Sequence, residues 1–167
     1  RAVVAWEGTE WGLAYRWRME PTSFVRLDRS AHPTLANRIL DEVARRPIDM
    51  AWGNHRFALL TMTEVFDSQL GAIVPILDRD GTVLDQWTVA AFPADGLAIT
   101  RHAVVHGWAL ALDTGAPRDE GAYTHVQLLA ESGATVADVP LSRLPLLSSE
   151  LGVTALVSIA SRLVTVR

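Results

Sequence analysis

The chain has 167 residues, of which 49% are hydrophobic and 20% charged, with a net charge of −4 and no cysteine. That composition describes a folded domain of ordinary size rather than a disordered chain, and it excludes disulfide scaffolds, thiolate metal sites and cysteine nucleophiles. All fifteen basic residues are arginine, against nineteen acids, so there is no lysine for Schiff-base or P-loop chemistry and no basic stripe for nucleic acid.

No apolar run approaches the ~20 residues of a membrane-spanning helix. The lysine-free composition points to a GC-rich bacterial source, and the lack of a membrane-length run and of a signal-peptide pattern makes a cytoplasmic protein the expectation. The start at Arg1 rather than methionine fits a single domain, residues 1–167, excised from a longer chain. The first segment, "AVVAWEGTEWGLAYRWRM", reads as a strand, a turn at Gly8 and a second strand. In that second strand Leu13, Tyr15 and Trp17 alternate with Ala14, Arg16 and Arg18, with the arginines expected to face water.

Residues 32–47, "HPTLANRILDEVARRP", carry the helix signals. Pro33 suits a first turn, Leu35, Ile39, Leu40 and Val43 form a stripe, Arg45 and Arg46 complement the C-terminal dipole, and Pro47 ends the run. Asp41 falls on the edge of the stripe. Strands are expected at 55–66, 71–77 and 82–92, with a turn at 78–81, and Pro75 argues for an edge strand or a bulge. After a turn at 93–96, residues 97–112 read as one long strand, followed by a loop at 114–121 and a hairpin around 131–134. Residues 151–167 fit a strand by β-branched content and a helix by length. The segments from Leu77 and Leu129 share Leu, three residues, Gly, then Thr-Val-x-Asp, with one residue inserted in the second. A tight hairpin accounts for that pattern, and internal duplication is the alternative.

On a single strand 97–112, one face carries Thr100, His102, Val104, His106 and Trp108. His102 and His106 would then stand about 13–14 Å apart and could not share an ion, so no metal site is expected. Either histidine could still act alone as a general base. The expected catalytic residues are therefore His102, His106 and Asp41. The ligand-binding residues are Trp108, Trp87 and Val104, and no cofactor is implied. The other aromatic cluster, Trp6, Trp11 and Trp17, would suit an exposed patch for a protein partner.

Residues 72–105 resemble the early strands of trypsin-like proteases, but no Gly-Asp-Ser-Gly nucleophile motif follows. The order of a hairpin, one helix and then antiparallel strands is similar to the hotdog fold. That resemblance implies acyl-thioester chemistry with a helix carboxylate, at Asp41 or Glu42. The expected class is thus α+β: a curved, mainly antiparallel sheet of about 6–8 strands on one amphipathic helix, hotdog-like or a partly open barrel. The expected function is small-molecule or acyl-group binding in a sheet–helix pocket, with catalysis by a histidine as one version. The competing function is a non-catalytic protein-interaction or regulatory domain. Partners would be a small hydrophobic ligand or a protein, not nucleic acid or membrane, and a homodimer is compatible with either reading.

Overall fold

The computed structural model describes residues 1–18, 20–40, 46–62, 72–89, 97–102, 107–114, 123–142, 155–159 and 162–166. Every regular element among them is a strand. The first eight are β1 (Ala2–Trp6), β2 (Trp11–Tyr15), β3 (Ser23–Leu27), β4 (Arg38–Ile39), β5 (Arg46–Gly53), β6 (Arg56–Met62), β7 (Ala72–Leu77) and β8 (Val83–Val89). The remainder are β9 (Leu97–His102), β10 (Gly107–Thr114), β11 (Tyr123–Leu129), β12 (Thr135–Ser142), β13 (Ala155–Ile159) and β14 (Arg162–Val166). They pair in chain order as three four-stranded antiparallel sheets, β1–β4, β5–β8 and β9–β12, plus the ribbon β13–β14. The first two sheets make one compact unit, residues 1–90, and the third sheet and the ribbon make another, residues 91–167. Among the described residues no helix is long and apolar enough to cross a membrane.

The helix expected over 32–47 does not form, which overturns the α+β class together with its hotdog-like and open-barrel variants. Pro33 makes a lone bridge to Leu27, Arg38 and Ile39 pair with Phe24 and Ser23, and Arg46 and Pro47 open β5. The cause is local. Asp28 Oδ1 accepts the N–H groups of Ser30 and His32 at 2.7 and 2.9 Å, reversing the chain directly after β3. Residues 33–39 are thereby returned along β3, where pairing and burial outweigh a short helix that is marginal by itself. Of the apolar stripe, Leu35 and Leu40 pack into the core and Ile39 is exposed, while Val43, like Arg45, lies outside the described residues.

The same turn occurs three times, each after the third strand of a sheet. Asp28, Asp78 and Ala130 each donate their N–H to the carbonyl four residues on, and each accepts from the N–H three residues on. The third residue beyond each, Ala31, Gly81 or Gly133, has positive φ (62°, 76° and 80°). Leu27, Leu77 and Leu129 precede the turns, and each pairs with the residue six further along, Pro33, Val83 and Thr135 respectively. The equivalence is residue for residue. The one-residue insertion suggested by the Thr-Val match is a slipped alignment, and the hairpin resemblance is a structural repeat present in three sheets.

Packing in the first unit rests on two phenylalanines and two glycines. Phe24 of β3 and Phe57 of β6 meet with ring centroids 5.3 Å apart and planes at 59°. Gly12 of β2 leaves room for Phe57, since an added Cβ would lie 2.6 Å from its ring. Gly81, in the turn before β8, leaves the matching room for Phe24, and an added Cβ there would overlap that ring. Ala5, Ala14, Leu40, Met50, Leu59 and Leu77 complete this core. In β2 the inward face is therefore Gly12 and Ala14, with Leu13 and Tyr15 half-buried on the other side. Ala14, grouped by alternation with Arg16 and Arg18 on the water side, faces inward because small residues are what the opposing rings need, while Arg18, beyond the strand, is exposed as expected.

Pro75 lies inside β7, between β6 and β8, rather than on an edge. The β6–β7 ladder runs through Ala58–Ile76 and resumes at Thr61–Ile73 in the same register, so the missing proline N–H interrupts it without a shift on that side, while the β7–β8 ladder shifts register at Ile76/Leu77. In the second unit, residues 97–112 do not form one strand. Leu97–His102 and Gly107–Thr114 are antiparallel partners, with His102 opposite Gly107. Gly107 lies so close to the Leu129 carbonyl that no Cβ fits.

Replacing Gly81 with alanine is expected to lower stability by roughly 2–4 kcal/mol, because the methyl meets the Phe24 ring and the backbone holds positive φ. Gly8 also has positive φ but nothing within 4 Å of an added Cβ, so Gly8→Ala is expected to cost only about 1 kcal/mol. Urea unfolding of both variants measures the difference. Equal losses would mean the ring contact contributes nothing.

Candidate functional site

Strand pleating gives the first sheet two unlike faces. One carries Val3, Ala5, Gly12, Ala14 and Phe24 and packs on the second sheet. The other carries Val4 and Trp6 from β1, Trp11 and Leu13 from β2, Leu27 from β3 and Ile39 from β4. Its rungs are Trp6–Trp11–Leu27 and Val4–Leu13–Val25. Trp6 and Trp11 touch, with centroids 4.8 Å apart at 54°, and the Arg29 guanidinium lies 5.6 Å from the Trp6 ring centre. This face is open at Val4, Trp6, Trp11 and Ile39, which are 53%, 36%, 38% and 55% exposed, whereas Val25 is buried and Leu13 and Leu27 are half-buried.

Register identifies the same positions in the other sheets. The rung Trp6–Trp11–Leu27 corresponds to Trp52–Phe57–Leu77 and to Arg101–Trp108–Leu129. The next rung, Val4–Leu13, corresponds to Met50–Leu59 and Ile99–Leu110. Trp52 and Phe57 repeat the aromatic contact at 4.4 Å and 55°. In the second sheet this face is covered: Met50, Phe57, Leu59 and Leu77 are buried against the first sheet, and Trp52 packs at the margin. Trp108, Leu110 and Leu129 are buried as well. Among the described residues, the exposed aromatic side chains of this face belong to the first sheet.

A charged rim closes one end of the joint between the first two sheets. Glu7, in the turn after β1, has its side chain only 2% exposed. It accepts from Arg26 at 2.8 Å and from Arg79 Nε at 2.7 Å, and Thr9 donates to it at 2.7 Å. Arg26 also pairs with Glu10 and lies 3.7 Å from Asp80, and its Nε is buried with no partner. Arg38 donates to the Asp80 carbonyl and to Thr82 Oγ1. Burial pushes the Glu7 carboxyl up. The hydrogen bonds from Arg79 and Thr9 and the charges of Arg26 and Arg79 together outweigh it and hold the group below its ordinary 4.5. Asp28 is also held below its ordinary value, chiefly by the His32 N–H, which outweighs the opposing effect of burial, with a smaller contribution from the Ser30 N–H.

A depressed folded value means that the stabilisation is present above pH 4.5 and is lost as pH falls through the folded value. Glu7→Gln is expected to flatten the fall in stability between neutral pH and pH about 3, read as urea midpoints at both pH values. An unchanged fall would remove Glu7 from the account.

The residues singled out from sequence do not assemble into one site. Trp87, in β8, is buried and donates its Nε1 to Asp85 at 3.0 Å. Trp108, in β10, is buried in the third sheet, in the other unit. His102 ends β9, and its side chain is outside the described residues, as are His106, Val104 and Asp41 altogether. The sheet–helix pocket has no helix to form it. Of the tryptophan cluster, Trp6 and Trp11 share the open face, whereas Trp17 follows the far end of β2, roughly 20 Å along the strand. Val4, Leu13, Leu27 and Ile39 were missed. The recurrence of Leu-Asp-Arg at 27–29 and 77–79 was the signal that could have aligned them with the second sheet. No known protein family and no curated protein matches this sequence.

Proposed function

We propose that the chain is a non-catalytic protein-interaction domain built from repeated four-stranded sheets, with the aromatic face of the first sheet as its contact surface. The carrying observation is the contrast at equivalent positions: Met50 and Phe57 are buried, while their counterparts Val4 and Trp11 are exposed, and Leu59 is buried where Leu13 is half-buried. Up-and-down four-stranded sheets recurring every 50 or so residues are the unit of β-propellers, in which each sheet covers its neighbour. An uncovered member of such a series retains a surface suited to a partner. Two adjoining tryptophans with an arginine over one ring are the residue types that dominate binding at protein interfaces. The net charge of −4 and the absence of lysine favour a protein over nucleic acid on that surface.

A photo-crosslinking side chain tests this. Placed at position 11 in cells that make the protein, it is expected to give discrete protein adducts. The same group at position 84, where Leu84 is exposed on β8, is expected to give none. Equal adducts at both positions, or none at either, would refute the proposal.

A further inference from the structure

We infer that the first sheet's aromatic face takes an acidic protein segment, whose carboxylate is bound by Arg29. The inference rests on the interaction reading above and gives the chemistry of the partner. Two arginines hold the same position in consecutive sheets. The turns at 28–32 and 78–82 are bonded alike: Oδ1 of Asp28 and of Asp78 accepts the N–H groups two and four residues on. Arg29 and Arg79 directly follow those aspartates. Each therefore stands at the end of the same rung of its own sheet, Trp6–Trp11–Leu27 for Arg29 and Trp52–Phe57–Leu77 for Arg79.

Arg79 shows what that corner takes once its face is covered. The first sheet lies on the second, and its β1–β2 turn offers Arg79 two acceptors. Arg79 donates to the Glu7 carboxylate at 2.7 Å and to the Thr9 hydroxyl at 2.8 Å. Arg29 occupies the equivalent corner of the open face. Among the described residues it forms no ion pair, and its contact is the Trp6 ring, 5.6 Å from the guanidinium carbon. A guanidinium lying over a ring keeps its N–H edge for a carboxylate. The neighbouring Asp28 is engaged by its own turn, as Asp78 is, and Asp78 leaves Arg79 free to pair with Glu7.

Charge and shape agree with this assignment. The two rungs Trp6–Trp11–Leu27 and Val4–Leu13–Val25 carry no charge, so Arg29 is the charge that an occupant meets at their end. The joint between the first two sheets supplies the template for that occupant. There the covering element is an extended segment with small inward residues, Ala5, Gly12 and Ala14, running through a turn that holds a glutamate. A carboxylate is assigned rather than a phosphate because a carboxylate is the group seated at the equivalent arginine.

Selection from a displayed library of random linear peptides on the immobilised 167-residue chain tests the inference, with affinities of the selected synthetic peptides read by fluorescence anisotropy. Enriched peptides are expected to share an aspartate or glutamate beside small and apolar residues. Arg29→Gln is expected to weaken their binding about tenfold or more, the scale of a charged hot spot, and Trp11→Ala to weaken it as well, with circular dichroism confirming the fold. Arg18→Glu removes the other arginine that lies over a tryptophan, 5.9 Å from the Trp17 ring centre, and should change nothing. Selection repeated on Arg29→Glu is expected to replace the shared acid with lysine or arginine.

Peptides without a shared acid, peptides indifferent to Arg29→Gln, or an unchanged preference on Arg29→Glu overturn the inference. If the same peptides still depend on Trp11, the interaction reading stands. Self-association of the chain that is lost in Trp11→Ala would put a second copy on the face and overturn the acidic partner. A library that yields no binder also overturns it, and with no adducts at position 11 both readings fall.

Discussion

The reciprocal seating of Phe24 and Phe57 is the contact on which the first unit depends. Each ring enters the opposite sheet at a glycine, Phe57 over Gly12 and Phe24 over Gly81, and the two rings meet between them. Stacked sheets ordinarily stand about 10 Å apart, filled by interdigitating side chains. Here one large and one vanishing side chain alternate across the gap, which is how a dense core is made without overlap. The rest of that core consists of alanine and mid-sized aliphatic residues, which fit around the rings.

That joint also fixes the charged rim. Gly12 and Arg26 face each other across β2 and β3 in the inward register, so closing the sheets carries Arg26 towards the turn at 78–82. Two arginines then converge on a buried Glu7. Such a network does little for net stability, because desolvation consumes most of the attraction. It has a geometric effect instead: removing one partner leaves a buried charge exposed to its neighbours' field, so the sheets are held to a single alignment. The unpartnered Arg26 Nε is a remaining cost of that arrangement.

The elements that sequence patterns misplace are those whose conformation depends on distant residues. The apolar spacing of Leu35, Ile39 and Leu40 is genuine, but the Asp28 turn delivers that segment to the edge of β3. Sheet pairing then uses Leu35 and Leu40 and leaves Ile39 outside. Residues 97–112 alternate well enough for one strand, and period-two alternation continues unchanged through a hairpin whose loop is short. Pro75 was read as an edge or a bulge because proline lacks a donor, and the β7–β8 ladder does shift register beside it, at Ile76/Leu77. The β6–β7 ladder tolerates it in the interior, where the register on either side is held by Ala58–Ile76 and Thr61–Ile73.

Local chemistry in the sequence was sufficient for the β1–β2 hairpin, the turns at 78–81 and 131–134, the lack of thiol and lysine chemistry, and an aromatic N-terminal cluster. Each is set by a few neighbouring residues: a glycine where φ is positive, an aspartate that caps a reversal, an alternation of side-chain size. Which face of a strand becomes interior is another matter. Pleating defines two sets of residues and is silent about which set meets another sheet. Only tertiary packing decided that Gly12 and Ala14 are the inner side of β2 and the tryptophans the outer. The physical reason is that burial is a property of pairs of surfaces: Phe57 needs Gly12, and no reading of residues 11–15 alone contains Phe57.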